Sequence, residues 1–355
     1  MTAAFDVFRD RTVLVTGSTG FKGSWLCAWL LELGARVSGF ALPPEPDAPL
    51  FDQLALRERI DQHDGDIRDM ETVMGVLKNV RPEIVIHLAA QALVRRGYAE
   101  PKLTFDTNIA GGINLLESIR HTESVRSLVF ITSDKAYRNK EWVWGYREND
   151  ELGGPDPYGA SKAAMEHVFT GYQESYFRRR ENFGAATVRA GNVIGGGDWS
   201  SDRIVPDTIR ALIKGESIRI RHPDATRPWQ HVMEPLSGYL NVAARLLDEP
   251  GQFSQAWNFG PDTENVRTVR ELAERAAKTW GSGTVQVDAR ADDPHEAQLL
   301  YLDNDKASVL LDWRPLWNFD QAIECTVCWY KQVNDGADPV IVTREQIRSF
   351  MEASR

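Results

Sequence analysis

Tyr158 and Lys162 stand four residues apart, and far upstream Gly17, Gly20 and Gly23 stand at intervals of three. The first spacing brings phenol and ammonium onto one face of a helix, where the positive charge lowers the phenol's pKa and makes it a usable base. The second follows the apolar run Val13-Leu-Val15 and opens the amphipathic stretch 24–33. Strand, tight turn and helix in that order are what a dinucleotide pyrophosphate needs. Gly17 permits the sharp turn, Gly20 lets backbone approach the pyrophosphate, and Gly23 lets helix and strand pack closely. Ser18, Thr19, Phe21 and Lys22 complete the cradle. A base paired with a hydride carrier points to an enzyme.

The apolar run 128–132 leads into Thr132-Ser133-Asp134-Lys135-Ala-Tyr137, at the carboxyl edge where ligands of such sheets bind. Ser133 completes a serine, tyrosine and lysine set; a solvated polar turn is the alternative reading of 133–135. The acid expected about 20 residues after the glycines is missing, since Gly39-Phe-Ala-Leu42 stands there. The choice between NAD and NADP is therefore open, and Lys22 or Arg36 is available to a 2′-phosphate. Asp66, in Gly65-Asp66-Ile67-Arg-Asp69, is placed to accept from an adenine amino group or to serve as a helix N-terminal acid.

The elements that must position these residues alternate. Runs 12–15, 36–40, 84–88, 128–132 and 186–189 read as strands, and 70–80, 104–121 and 158–179 as helices, which predicts a doubly wound parallel α/β sheet. After Gly191, Gly195-Gly-Gly197 and a Pro- and Arg-rich stretch mark a change of lobe, and Trp257-Asn-Phe-Gly260 reads as a strand returning to the first. We therefore expect a dinucleotide-binding domain over 1–190 with a return segment near 231–262, and a smaller mixed α/β substrate domain from 191–230 and 263–355. The 355 residues with 42% hydrophobic content are enough for two lobes. A net charge of -10 disfavours nucleic acid and membrane surfaces as partners. Met1 to Arg11 lacks an apolar leader and no membrane span is evident, so a cytoplasmic setting is expected. Three cysteines give no disulfide framework; Cys325-Thr-Val-Cys328 has the spacing of a metal or redox pair but no second ligand pair, and no metal is expected.

With these residues in view, the chain resembles the extended short-chain dehydrogenase/reductases that act on nucleotide sugars, from about Arg11 to about Asn318. Gly17-Ser-Thr-Gly-Phe-Lys-Gly-Ser-Trp25, Thr132-Ser-Asp-Lys135, Asn139-Lys-Glu-Trp-Val-Trp-Gly-Tyr-Arg-Glu148, Arg189-Ala-Gly-Asn-Val-Ile-Gly-Gly-Gly-Asp-Trp199 and Arg227-Pro-Trp-Gln-His-Val232 are similar to the 4,6-dehydratase branch that takes CDP-glucose. Lys135, where the dTDP-glucose branch has an acid, favours the CDP branch. Ser18 departs from the His expected there, and Tyr158-Gly-Ala from the commoner Ser-Asn.

The resemblance implies a Rossmann fold, NAD as a bound shuttle and a redox-neutral dehydration. Tyr158, helped by Ser133 and Lys162, takes the 4-hydroxyl proton; Asp134 protonates the departing 6-hydroxyl; Lys135 removes the C5 proton or stabilises the C4 enolate. It implies further cofactor contacts at Ile67, Leu88, Ala89, Ala90 and Asn108. On the substrate side stand Gln91, Asn192 near the sugar-linked phosphate, Arg203 in the base-binding region, Arg227 at the pyrophosphate, and Arg219, Arg221 and His295. Arg219 and Arg221 read equally as solvated surface charges. Trp142 and Trp144 either roof the hexose or pack a loop. A homodimer is expected, with a tetramer as the alternative, and the product feeds a deoxysugar for lipopolysaccharide O-antigen. A nucleotide-sugar 4-epimerase is the rival activity, but it has no need of an acid and a base at 134 and 135. A non-catalytic dinucleotide sensor has no need of the tyrosine.

Overall fold

A computed structural model describes residues 5–47, 49–288 and 299–354. The strands are β1 (Thr12–Thr16), β2 (Arg36–Ala41), β3 (Asp61–Asp64), β4 (Ile84–His87), β5 (Ser127–Ile131), β6 (Gly184–Arg189), β7 (Val193–Ile194), β8 (Ile218–Ile220), β9 (Thr226–Pro228), β10 (Gln230–His231), β11 (Trp257–Asn258), β12 (Val266–Thr268) and β13 (Val285–Val287). Seven of them form one parallel sheet in the order β11-β6-β5-β4-β1-β2-β3. Strand β4 and strand β5 are buried along their whole length, as continuous apolar runs are when helices cover both faces of a sheet. Strand β3, Asp-Gln-His-Asp, has almost no apolar content and exists by pairing with β2 at the edge. The chain leaves β1 for β2 on one side and reaches β4 on the other, so a crevice opens over the carboxyl ends of β1 and β4.

The longer helices are α1 (Phe21–Glu32), α2 (Met70–Val80), α3 (Gly111–Arg120), α4 (Pro157–Ser175), α5 (Ile204–Lys214), α6 (Met233–Asp248), α7 (Val269–Trp280), α8 (Phe319–Asn334) and α9 (Pro339–Ala353). On one face of the sheet Trp25, Leu26 and Trp29 of α1 join residues of α6, α8 and α9 in one core; on the other, Phe130 and Val85 pack on Leu115, Leu116 and Phe169 of α3 and α4. The expected doubly wound α/β sheet is what forms. The helix expected over 104–121 forms within one helical run from Pro101 to Arg120, in which a wide π-helical turn, Asp106–Ala110, links Pro101–Phe105 to α3, an insertion of the kind that collects at functional sites.

Beyond β6 the chain builds small two-stranded pairings, β7 with β10, β8 with β13 and β9 with β12, against α5, α7 and α8. Glu234 of α6 ties this lobe down: its carboxyl accepts from Leu316 N and Trp317 N, the latter at 2.7 Å. Burial pushes that carboxyl up to about 8. Cys325 and Cys328 both lie on α8, and among the described residues no group of three metal-ligating side chains occurs. No helix among them is long and apolar enough to cross a membrane.

Candidate active site

The turn from β1 to α1 is shaped by sterics. Gly17 has φ +73°, and a Cβ there would lie 2.7 Å from Ala89 N; a Cβ on Gly23 would lie 2.0 Å from Gly17 O. The loop after β4 therefore packs directly on the glycine turn, with Ala89 N donating to Thr16 Oγ1 at 3.2 Å, and Leu88 and Ala90 beside it. Gly20 caps α1 without a side-chain bond and its first turn carries no acid. Its free N–H groups and the positive end of the helix dipole suit a pyrophosphate. Phe21 opens the helix. Ser18 Oγ donates to Gln62 Oε1 at 2.8 Å and Thr19 Oγ1 to Leu42 O at 2.9 Å, joining the turn to the ends of β2 and β3. These residues fit a dinucleotide.

Two expectations at the adenosine end change. Arg36 lies at the amino end of β2, paired with Thr12, across the sheet from the crevice, so it cannot meet a 2′-phosphate. Lys22 runs the other way, its Nζ 3.5 Å from Tyr239 Oη. Asp66 follows β3 at the crevice edge, doubly held by Arg68, whose hydrogen bond keeps its carboxyl below the usual range. Ile67 beside it is buried.

Asn108, in the wide turn, organises the catalytic wall. Its amide accepts from Gln91 N at 2.8 Å and donates to Gln91 O at 3.1 Å and Ser161 Oγ at 2.8 Å; Ser161 Oγ donates to Tyr158 O at 2.7 Å. The Gln91 side chain is engaged locally: its Nε2 donates to Thr104 Oγ1 and its Oε1 accepts from Leu93 N, so it holds the loop.

Helix α4 starts at Pro157 because Asp156 accepts from Tyr158 N and Gly159 N, which places Tyr158 in the first turn. Ser133 Oγ bonds the Tyr158 hydroxyl and pulls its pKa down, but burial dominates and holds it up at about 12. Lys162 does not do what the spacing implied. Its Nζ donates to Ile131 O at 3.3 Å and stands 5.9 Å from the Tyr158 ring centroid, with its own pKa drawn down to about 8 by burial and by Lys22. A short turn after β5 carries Asp134 and Lys135, Ser133 Oγ accepting from Lys135 N and donating to Asp134 Oδ1 at 2.9 Å. Asp134 is buried against Gly191, where a Cβ would lie 1.9 Å from its Oδ2. Ser133, Asp134, Lys135, Tyr158 and Lys162 thus share one edge.

On the opposite side Asn192 follows Gly191 in the left-handed region, φ +51°, a strained geometry that collects at binding sites. Arg203 reaches Asp198 at 3.1 Å, and its charge acts on both Tyr158 and Lys22. That directs its charge towards the catalytic groups. Arg227 is buried on β9, its Nη1 donating to Thr226 O. Arg221 pairs with Asp202 at 3.7 Å. Arg219 points outward from β8. His295 lies outside the described residues. Trp142 stacks on Tyr146 with ring centroids 5.1 Å apart, so it packs the loop, while Trp144 is exposed.

Sequence reasoning missed what crosses the fold. Arg189 of β6 makes two 2.8 Å bonds to Glu166 of α4 and one of 2.7 Å to Tyr137 Oη; Thr132 and Thr187 complete the carboxylate's shell. Glu166 lies one turn beyond Lys162, and that i, i+4 spacing was the only signal present. Tyr239 and Asp198 carried none.

A parallel Rossmann sheet with a serine, tyrosine and lysine set over its crevice defines an extended short-chain dehydrogenase/reductase. The sequence profile of GDP-mannose 4,6 dehydratase matches residues 14–326, and the chain belongs to that family. It is 43% identical over 351 residues to a CDP-glucose 4,6-dehydratase of Salmonella typhimurium, spanning 98% of each. Among solved structures, a Thermus thermophilus UDP-glucose 4-epimerase in complex with NAD superposes with a TM-score of 0.76 at 26% identity, covering 90% of this chain and 99% of that one. A double mutant of a Streptomyces venezuelae dTDP-glucose 4,6-dehydratase, with NAD bound, gives 0.77 at 24%, covering 92% and 99%.

Proposed function

We propose that the protein dehydrates CDP-glucose to CDP-4-keto-6-deoxyglucose with NAD as a recycled cofactor. The observation that carries this is the turn Ser133-Asp134-Lys135 facing Tyr158 across one edge, an oxidation set and an acid/base pair together. The 43% relative with the same activity in its name supports the choice of nucleotide. The glycine turn, Ala89–Ala90, Asp66 and Lys162 would hold NAD, which would supply a hydride acceptor that is regenerated within each turnover. Tyr158 takes the proton of the sugar 4-hydroxyl, oriented by Ser133. The C4 ketone acidifies the C5 proton, which Lys135 removes or whose enolate it stabilises, and Asp134 protonates the departing 6-hydroxyl. Arg227 and Asn192 are the proposed diphosphate contacts.

Incubation with CDP-, dTDP-, GDP- and UDP-glucose, read by mass spectrometry, is expected to show water loss from the CDP sugar above all. Substrate deuterated at C4 should deliver that deuterium to C6, with solvent hydrogen entering at C5. Stoichiometric build-up of reduced cofactor would make the protein a simple dehydrogenase and defeat the reading.

A homodimer is proposed too. Phe105 is 37% exposed and Tyr176 50%, and they flank Ile109, Val168 and Tyr172, which are only partly covered by the second core. Two such helix pairs packed across a twofold axis bury this face. A monomer by light scattering at micromolar concentration would exclude it.

A further inference from the structure

Gln230 lies on β10, 1% exposed beside the fully buried Val232, a place that packing alone would fill with an apolar side chain. Its main-chain N–H donates to Asn192 O at 3.2 Å and its side-chain Nε2 to Gly191 O at 3.0 Å. One residue thus holds both carbonyls that flank Asn192, the residue with φ +51°. The same Nε2 donates to Phe259 O at 3.1 Å, just beyond β11, which ties the turn to the edge of the main sheet. Two carbonyl partners fix the amide with its nitrogen towards them, and its Oε1 is left buried without a partner among the described residues. The clamped turn forms the wall behind Asp134. Gly191 has no positive φ, so its backbone does not call for glycine; the space does. A Cβ there would stand 1.9 Å from Asp134 Oδ2 and 2.2 Å from its Cγ, so the carboxyl rests against the Gly191 Cα while its Oδ1 accepts from Ser133 Oγ at 2.9 Å.

We propose that Gln230 is a positioning residue for Asp134: by clamping the carbonyls on either side of Asn192 it sets where the Gly191 Cα stands, and that wall sets the direction from which Asp134 gives its proton to the departing 6-hydroxyl as the C6–O bond breaks and water leaves. The assignment rests on the proposed dehydratase reaction for the step it serves. The side-chain bonds of Gln230 run to Gly191 and Phe259, away from the phenol of Tyr158, so it bears on elimination and leaves oxidation at C4 alone. An unmet buried acceptor is costly. The clamp accounts for its presence at Gln230, since an apolar residue would fill β10 without one.

The test is single-turnover stopped-flow absorbance of the reduced cofactor, with NAD bound and CDP-glucose saturating, for the parent, Gln230→Met and Gly191→Ala. Gln230→Met keeps the length and removes both side-chain bonds. Its rise, which reports C4 oxidation, should stay within about twofold of the parent, whereas the decay, which reports elimination and hydride return, should slow by about tenfold or more, since misplacement by about 1 Å can cost about 100-fold. Gly191→Ala, which pushes on the carboxyl from the wall itself, should give the same split. The double variant should be little slower than the worse single one, because both act through one carboxyl. Rise and decay falling together, or a decay unchanged at lowered Tm, would overturn the proposal and leave Gln230 a structural residue of the lobe junction. A second readout needs no turnover. The crystal structure of unliganded Gln230→Met should show Asn192 out of the left-handed region and the Asp134 carboxyl displaced; both unmoved would equally overturn the proposal. Failure of the dehydratase reading alone would appear as no water loss in the parent and leave that displacement intact.

Discussion

Tyr158→Phe should lower turnover of CDP-glucose by about 100- to 10,000-fold, the range over which a positioned general base contributes. Oxidation at C4 fails with it, so mixing enzyme, NAD and substrate should give no reduced cofactor. The geometry sharpens this expectation: the phenol is buried, hydrogen-bonded to Ser133, and held up at about 12 by burial. Lys135→Met, which keeps the aliphatic length, should fail differently. Lys135 shares the turn with Asp134 but is absent from the bonds that hold Tyr158, so oxidation proceeds and reduced cofactor accumulates with a 4-ketohexose trapped on the enzyme. Stopped-flow absorbance of the reduced cofactor separates the two outcomes. If Lys135→Met loses less than about tenfold, the lysine neither takes the C5 proton nor stabilises the enolate.

The second large effect is on stability. Removing one member of the Arg189–Glu166 pair, as in Glu166→Ala, should destabilise the fold by about 3–5 kcal/mol, because it strands a buried charge. The pair is 3% and 4% exposed with a 2.8 Å contact. The pH dependence has a definite sign. Burial raises the Glu166 carboxyl, the charge and hydrogen bonds of Arg189 outweigh it, and the folded pKa ends below the ordinary value. The pair's contribution is therefore full above the unfolded carboxylate pKa of about 4.3 and is lost as pH falls through the lower folded value. Urea unfolding of Glu166→Ala beside the parent at pH 7 and at pH 3 tests both parts, with the difference expected to narrow at the lower pH. Replacing both partners by apolar residues, Glu166→Leu with Arg189→Met, should recover much of the loss. A loss under about 1 kcal/mol in the single variant would show that the site relaxes or admits water.

What the sequence determined by itself is local. Gly17 and Gly23 specify the β1–α1 turn because φ and Cβ clearance are properties of a few adjacent residues, and Asp156-Pro157 sets the start of α4 and hence the height of Tyr158. The run Ser133-Asp134-Lys135 was legible because three chemically distinct groups stand together at a strand end. Spacing along a helix placed Tyr158 and Lys162 on one face but left open where their polar ends go. Tertiary structure decided that: Ile131 O takes the Lys162 ammonium, and the phenol bonds Ser133. It also turned Gln91 inward to Thr104 and Lys22 towards Tyr239, 217 positions away. Arg189, Glu166 and Tyr137 meet only because β6, α4 and the segment after β5 pack together. Interactions of that range depend on how strands order in the sheet and helices cross it, and no short window of residue types encodes the direction in which a long polar side chain leaves its element.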